Sequence, residues 1–183
     1  MEQITVKELL QKDIRGKVVC FPTDTVYGVG ALYDDEIAIN KIYEMKHRSK
    51  SKPLAILTPT KDIGRYVESI NDEAQTLIDH GWPGALTLIF RKSNLISDKV
   101  TNGLPTIAIR MPKSKIALEI LNHFGPMATT SVNISGEKEL NSIDEIAEKF
   151  NEYIDFIVVD KEKLNYKPSM IIDCTNNMKI IRY

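Results

Sequence analysis

The chain has 183 residues, 43% hydrophobic and 27% charged, with 24 Lys and Arg against 25 Asp and Glu for a formal net charge of −1. A chain of this length buries a core without disulfide or metal staples, and no apolar run is long enough to cross a bilayer as a helix. The even charge balance argues against a protein whose main task is to coat nucleic acid, because such domains usually carry a strong basic excess, so any RNA contact has to be local.

Residues 1–17 alternate charge with short apolar pairs and lack the continuous apolar centre of a secretion signal, so a soluble, cytoplasmic protein that binds no membrane is expected. In chain order, residues 17–21 predict a strand, about 35–46 an amphipathic helix, and 53–57 a second strand. A helix over 72–80 follows the cap residue Asn71, and strands are predicted at 86–90 and 106–110. A helix over 115–124 stops at Gly125, a strand follows at 127–130, and Ser142 with Glu145 reads as a capping box for a helix over 143–150. Strands at 154–159, 169–173 and 179–182 complete an α/β (α+β) pattern. No Gly/Ser linker or repeat interrupts it, so residues 1–183 are expected to form one domain.

Cys20 and Cys174 sit in apolar runs and read as small buried hydrophobes. His47, His80 and His123 are scattered singly, without HExxH or CxxC spacing, so no metal held by the protein is expected. Trp82, in GlyTrpProGly, is expected to pack beneath a cleft rather than touch substrate.

Three segments concentrate chemistry. FPTDTVYGVG at 21–30 carries a strand end into hydroxyls and glycines, the composition of a ligand-facing loop. Thr23, Thr25 and Tyr27 offer hydroxyls there, while Gly28 and Gly30 allow close backbone approach or positive φ. The same composition also suits a turn whose threonines satisfy one another. MKHRSKSKPLA at 45–55 sets Lys46, Arg48, Lys50 and Lys52 at alternate positions. An extended chain would aim all four to one side, toward a polyanion such as a triphosphate or an RNA backbone. A solvated charge run looks the same. ATTSVNISG at 128–136 places Ser131 and Asn133 one strand period apart, able to face one ligand.

Neither GxxxxGK[ST] nor a strand followed by GxGxxG is present, which excludes a P-loop or Rossmann nucleotide site. The Ser135 to Lys138 spacing of a serine nucleophile with its lysine is matched equally by Ser49 to Lys52, and neither is read as chemistry.

In this order PTDTVYGVG, KHRSKSKPLA, GWPGALTLIF, TIAIRMP and TTSVNISG, followed by KPSMIID and IIRY, resemble the YrdC family over about 21–183. The resemblance implies a twisted mixed β-sheet flanked by helices, with an open, positively charged cleft. It implies a catalytic tetrad of Lys46, Arg48, Ser131 and Asn133 around the nucleotide. ATP contacts are implied at Arg48, Lys52, Thr106, Asn133, Asn141 and Arg182. L-threonine contacts are implied at Thr23, Thr25, Tyr27, Arg110, Ser131 and Ser169, with Arg110 suited to a carboxylate through its planar fork.

The implied activity is that of an L-threonylcarbamoyladenylate synthase, with L-threonine, bicarbonate and ATP as substrates and Mg²⁺ carried on the phosphates. The product would pass to a transferase that modifies the adenosine beside the tRNA anticodon. Such a reaction needs positioning and charge neutralisation rather than a protein nucleophile. The sequence departs from the family at Val132, where Ala is usual and extra methyl groups would shift a tight pocket. It departs at Met170, where Thr is usual, and has Leu57 where longer members can carry a histidine. Ending at Tyr183, the chain resembles the short form without a further C-terminal domain. Three rival readings use the same residues: an RNA-binding relative without adenylation, an adenylating enzyme for another carbamoyl substrate, and a scaffold. The last leaves the polar clusters at strand ends unexplained.

Overall fold

The structure, a computed structural model, describes residues 1–47 and 53–183. The elements in order are β1 (Glu2–Ile4), α1 (Val6–Leu9), β2 (Val19–Pro22), β3 (Tyr27–Leu32), α2 (Glu36–Met45), β4 (Ala55–Leu57), α3 (Asp72–Gly81) and β5 (Leu86–Arg91). They continue with α4 (Asp98–Thr101), β6 (Thr106–Arg110), α5 (Lys115–Phe124), β7 (Met127–Ser131), α6 (Ile143–Phe150), β8 (Phe156–Val158), β9 (Met170–Asp173) and β10 (Lys179–Arg182). Among the described residues these strands form one mixed sheet in the order β1-β8-β2-β3-β7-β4-β6-β5-β9-β10. The pairs β1–β8, β8–β2, β4–β6 and β5–β9 are parallel, and the other neighbours are antiparallel.

The period of two along each strand divides the molecule into two faces. On one, Cys20, Val29, Ile56, Leu88, Ile109 and Ala128 join α2, α3 and α6 in the larger core. On the other, Val19, Phe21, Leu57, Met127 and Phe156 pack with α1 and α5 in a smaller core at one end of the sheet. The rest of that second face is where polar side chains gather.

The helices start where their caps dictate. Thr5 and Glu8 close a capping box on α1, with the Thr5 amide donating to Glu8 Oε2 at 2.7 Å. Asp35 Oδ1 accepts from the Ala38 amide at 3.1 Å, Asn71 Oδ1 from Ala74 at 2.8 Å, and Ser114 Oγ from Ala117 at 3.0 Å. Gly125 ends α5 at a φ of +91°, open to glycine at little penalty. Ser142 departs from expectation, because its backbone is extended like a cap but its side chain makes no cap hydrogen bond. The helix is held instead by burial of Ile146 and Phe150 on its apolar face, with Asp144 and Glu145 favourably placed in its first turn.

Two further expectations change. The 21–30 segment is not one long loop: β2 and β3 form a hairpin, so only residues 23–26 make the turn. Cys20 is fully buried, but Cys174 is only partly so, packed at the edge of the larger core. Trp82 is buried in the larger core and its Nε1 donates to the Leu86 carbonyl at 2.7 Å.

Candidate active site on the open sheet face

A cavity of about 210 Å³ lies on the sheet face that the larger core leaves free. Its walls follow from alternation. In β6, Ile107 and Ile109 enter the core, so Ala108 and Arg110 face the cavity. In β7, Ala128 enters the core, and Thr129 and Ser131 face the cavity. Ala55 and Leu57 of β4, Thr87 of β5, and Ser169 and Ile171 beside and within β9 complete the floor. The residue 23–26 turn and Arg182 of β10 close the sides.

Arg110 anchors one side. It is 6% exposed, and its Nε donates to the Gly84 carbonyl at 2.9 Å. One terminal nitrogen donates to Thr25 Oγ1 at 2.9 Å and the other to Asp24 Oδ1 at 2.5 Å. Burial lowers the guanidinium pKa from its ordinary value and nearby Arg182 acts the same way, while Asp24 opposes both. With five N–H donors, Arg110 keeps one on each terminal nitrogen beyond these contacts.

The threonine hydroxyls have a fixed polarity. Thr23 gives its single hydroxyl hydrogen to the Val26 carbonyl at 2.7 Å, so in its 2.9 Å contact with Thr25 it must accept. Thr25 therefore donates to Thr23 and accepts from Arg110, which leaves it a lone pair but no hydrogen for a ligand. Thr23 and Thr25 are both buried.

Across the cavity, Thr87 Oγ1 and Ser169 Oγ are 2.7 Å apart. Arg182 Nε donates to the Ser169 carbonyl at 2.9 Å, and its terminal nitrogen reaches Ser169 Oγ at 3.4 Å. Burial lowers the Arg182 pKa as well, with Glu139 opposing. Arg182 and Arg110 thus bring two cations to one cavity. Tyr27 lines it and also packs in the larger core, where burial pushes its phenol up to about 12.

The remaining residues singled out in the sequence are placed differently. Lys46 follows α2, is 1% exposed, and turns inward rather than toward an open polyanion face. Its Nζ donates to Ser131 O at 2.6 Å, Asn133 O at 3.0 Å and Asn133 Oδ1 at 2.7 Å. Ser131 Oγ also donates to Asn133 Oδ1, at 2.9 Å, and Asn133 Nδ2 donates to the Glu137 carbonyl at 2.7 Å. Of this trio Ser131 lines the cavity, and Lys46 and Asn133 are buried side chains bonded to it. Asn141 Oδ1 accepts the Tyr27 amide at 3.0 Å, which ties the segment before α6 to the cavity wall. Thr106 is on the cavity face of β6, two and four residues from Ala108 and Arg110. Arg48, Lys50 and Lys52 lie outside the described residues.

Val132 is fully buried in the larger core and Met170 packs against it, so both point away from the cavity. The Val132 methyl groups thus pack in the core behind Ser131, and reach the pocket only through the backbone they share with it. Leu57, by contrast, is part of the lining.

Sequence reasoning passed over Asp24, Thr87 and Thr129. Asp24 and Thr87 lay inside quoted motifs but carried no signal of a partner, since Arg110 and Ser169 are 86 and 82 residues away. Thr129 explains both glycines of β3. A Cβ on Gly30 would meet Thr129 Oγ1 at 2.7 Å and one on Gly28 would meet Thr129 Cγ2 at 3.0 Å.

A family model described as telomere recombination, covering Sua5, YciO and YrdC, matches residues 13–183. A threonylcarbamoyl-AMP synthase of Pyrococcus abyssi is 39% identical over 162 residues, 87% of this chain and 48% of the relative. One from Bacillus subtilis is 34% identical over 168 residues, 90% of this chain and 49% of the relative. The chain thus spans about half the length of these two relatives. The crystal structure of P. abyssi Sua5 complexed with L-threonine superposes with a TM-score of 0.87 at 34% identity, covering 96% of this chain and 55% of that one. With the fold, the motifs and the family model in agreement, the chain belongs to the Sua5/YciO/YrdC family.

Proposed function

We propose that this chain, as a single domain, joins L-threonine, bicarbonate and ATP into threonylcarbamoyl-AMP with release of pyrophosphate. The observation that carries the reading is the cavity itself: two arginines and a set of oriented hydroxyls on the open face of a sheet that superposes on L-threonine-complexed Sua5. The amine nitrogen of threonine bonds to the bicarbonate carbon, water leaves, and a carbamate oxygen attacks the α-phosphorus as pyrophosphate departs. Each step needs positioned reactants and neutralised charge, not a covalent intermediate.

Arg110 takes the carboxylate through its remaining N–H groups, and the Thr25 lone pair accepts from the amine. Ser169 and Thr87 meet the far side of the amino acid. Ser131, Arg182, Thr106 and Asn141 face the nucleotide, Lys46 and Asn133 hold Ser131 in place, and Arg48 and Lys52 neutralise phosphate charge. Mg²⁺ enters on the phosphates as part of the substrate. Among the described residues no cluster of three or more His, Cys, Asp or Glu offers it a separate site. The product passes in the cytoplasm to a tRNA threonylcarbamoyl transferase, with any direct RNA contact weak and local.

The test is pyrophosphate release from ATP, Mg²⁺ and bicarbonate with L-threonine, L-serine or no amino acid. Release that depends on threonine supports the reading. Release indifferent to the amino acid, or none while ATP binds, refutes it.

A further inference from the structure

We propose that Asp24 is a positioning residue for the amino-acid substrate, holding the Arg110 fork in the orientation that presents its remaining N–H groups to the cavity. The inference rests on the functional reading above. Asp24 lies in the β2–β3 turn, and its carboxylate contacts a terminal nitrogen of Arg110 with the two side chains 15% and 7% exposed. A pair so removed from water gains little net stability, because desolvation of both ions offsets their attraction. Its placement at a cavity wall calls for another explanation, and the geometry supplies one.

The other two Arg110 contacts, Gly84 O at Nε and Thr25 Oγ1 at one terminal nitrogen, hold the fork from one side, and Asp24 supplies the contact at the opposite terminal nitrogen that completes its orientation. Asp24 is also the anion in contact with Arg110, while Arg182 acts on it as a like charge. The turn itself is braced from outside, as the Asn165 amide donates to Asp24 O at 3.2 Å and the Tyr166 amide to Thr25 O at 2.9 Å. These backbone bonds survive a side-chain change, so Asp24→Asn tests the carboxylate rather than the loop.

The experiment is calorimetric titration of L-threonine, and separately of Mg·ATP, into wild type, Asp24→Asn and Asp24→Glu, with a thermal melt of each. Asp24→Asn is expected to weaken threonine binding about tenfold or more while ATP affinity stays within about twofold, as fits loss of one charge-assisted bond. Asp24→Glu keeps the charge but displaces it by a methylene, and is expected to lie between; it carries the test if the Asn variant does not fold. Unchanged threonine affinity, or parallel loss for threonine and ATP, overturns the assignment to Asp24 alone. Absence of threonine binding by the wild type overturns the functional reading, and this one with it.

Discussion

Lys46 Nζ lies 2.7 Å from Asn133 Oδ1 and within 3.0 Å of two backbone carbonyls, so the end of α2 is bolted to the chain leaving β7. Lys46→Met removes the donor from two backbone carbonyls and leaves Asn133 Oδ1 with Ser131 Oγ alone, in a site with almost no water, a loss of about 3 kcal/mol. The melting temperature should fall by roughly 10 °C, and turnover should fall with it because Ser131 loses its support. A role confined to catalysis, as the implied tetrad would have it, would instead cost turnover with little loss of stability. A melt by circular dichroism beside the pyrophosphate assay decides, and an unchanged melt would return Lys46 to a direct role.

Gly30→Ala should destabilise by about 2 kcal/mol, since the new methyl overlaps Thr129 Oγ1 at 2.7 Å and crowds the Ala128 carbonyl at 3.1 Å. Combining it with Thr129→Ala removes the first overlap and leaves the second. Urea denaturation of the two single variants and the double should therefore show favourable coupling but incomplete recovery.

Thr87 and Ser169 share one hydrogen bond on the cavity floor. Thr87→Val and Ser169→Ala should each raise the KM for threonine several-fold, about 1 kcal/mol apiece, with the KM for ATP less affected. The double variant should lose less than the sum, because the second change removes a partner already unpaired. Additive losses in steady-state kinetics would mean that the two hydroxyls act separately.

Burial holds the Tyr27 phenol up at about 12 against an ordinary value of 10.0. The unfolded phenol ionises first, so the unfolded state binds fewer protons between those values and stability declines with rising pH. The contribution is fully present below pH 10 and lost as pH climbs through about 12. Tyr27→Phe should show a shallower alkaline loss in urea midpoints measured across this window. Equal slopes for both proteins would contradict the shift.

The sequence showed most elements with a strong local signal. The Asn71 cap, the Gly125 stop and the alternation in residues 106–110 each reflect forces acting within a few residues. Strand β3 was hidden because Gly28 and Gly30 read as loop, when they are glycine for the sake of Thr129 on β7. The inward turn of Lys46 was equally hidden, since a lysine among other cations looks solvated until its acceptors, 85 and 87 residues later, are placed. Asp24 belongs to the same class. Motif order pointed to Thr25, Arg110, Ser131, Ser169 and Arg182, which do meet at one cavity. Which of their partners hold them could be seen only in three dimensions.

The parallel pairing of β1 with β8 joins Glu2 to Phe156 and Ile4 to Val158. On a ribosome adding roughly 5–20 residues per second, the N-terminal strand emerges on the order of ten seconds before its partner exists. Throughout that interval Ile4, Val6 and Leu9, all buried in the finished smaller core, have no complete surface to cover them. Neither core can close early in synthesis: the smaller one waits for Phe156 and Val158 to cover its first strand, and the larger one waits later still for Leu164 and Ile172.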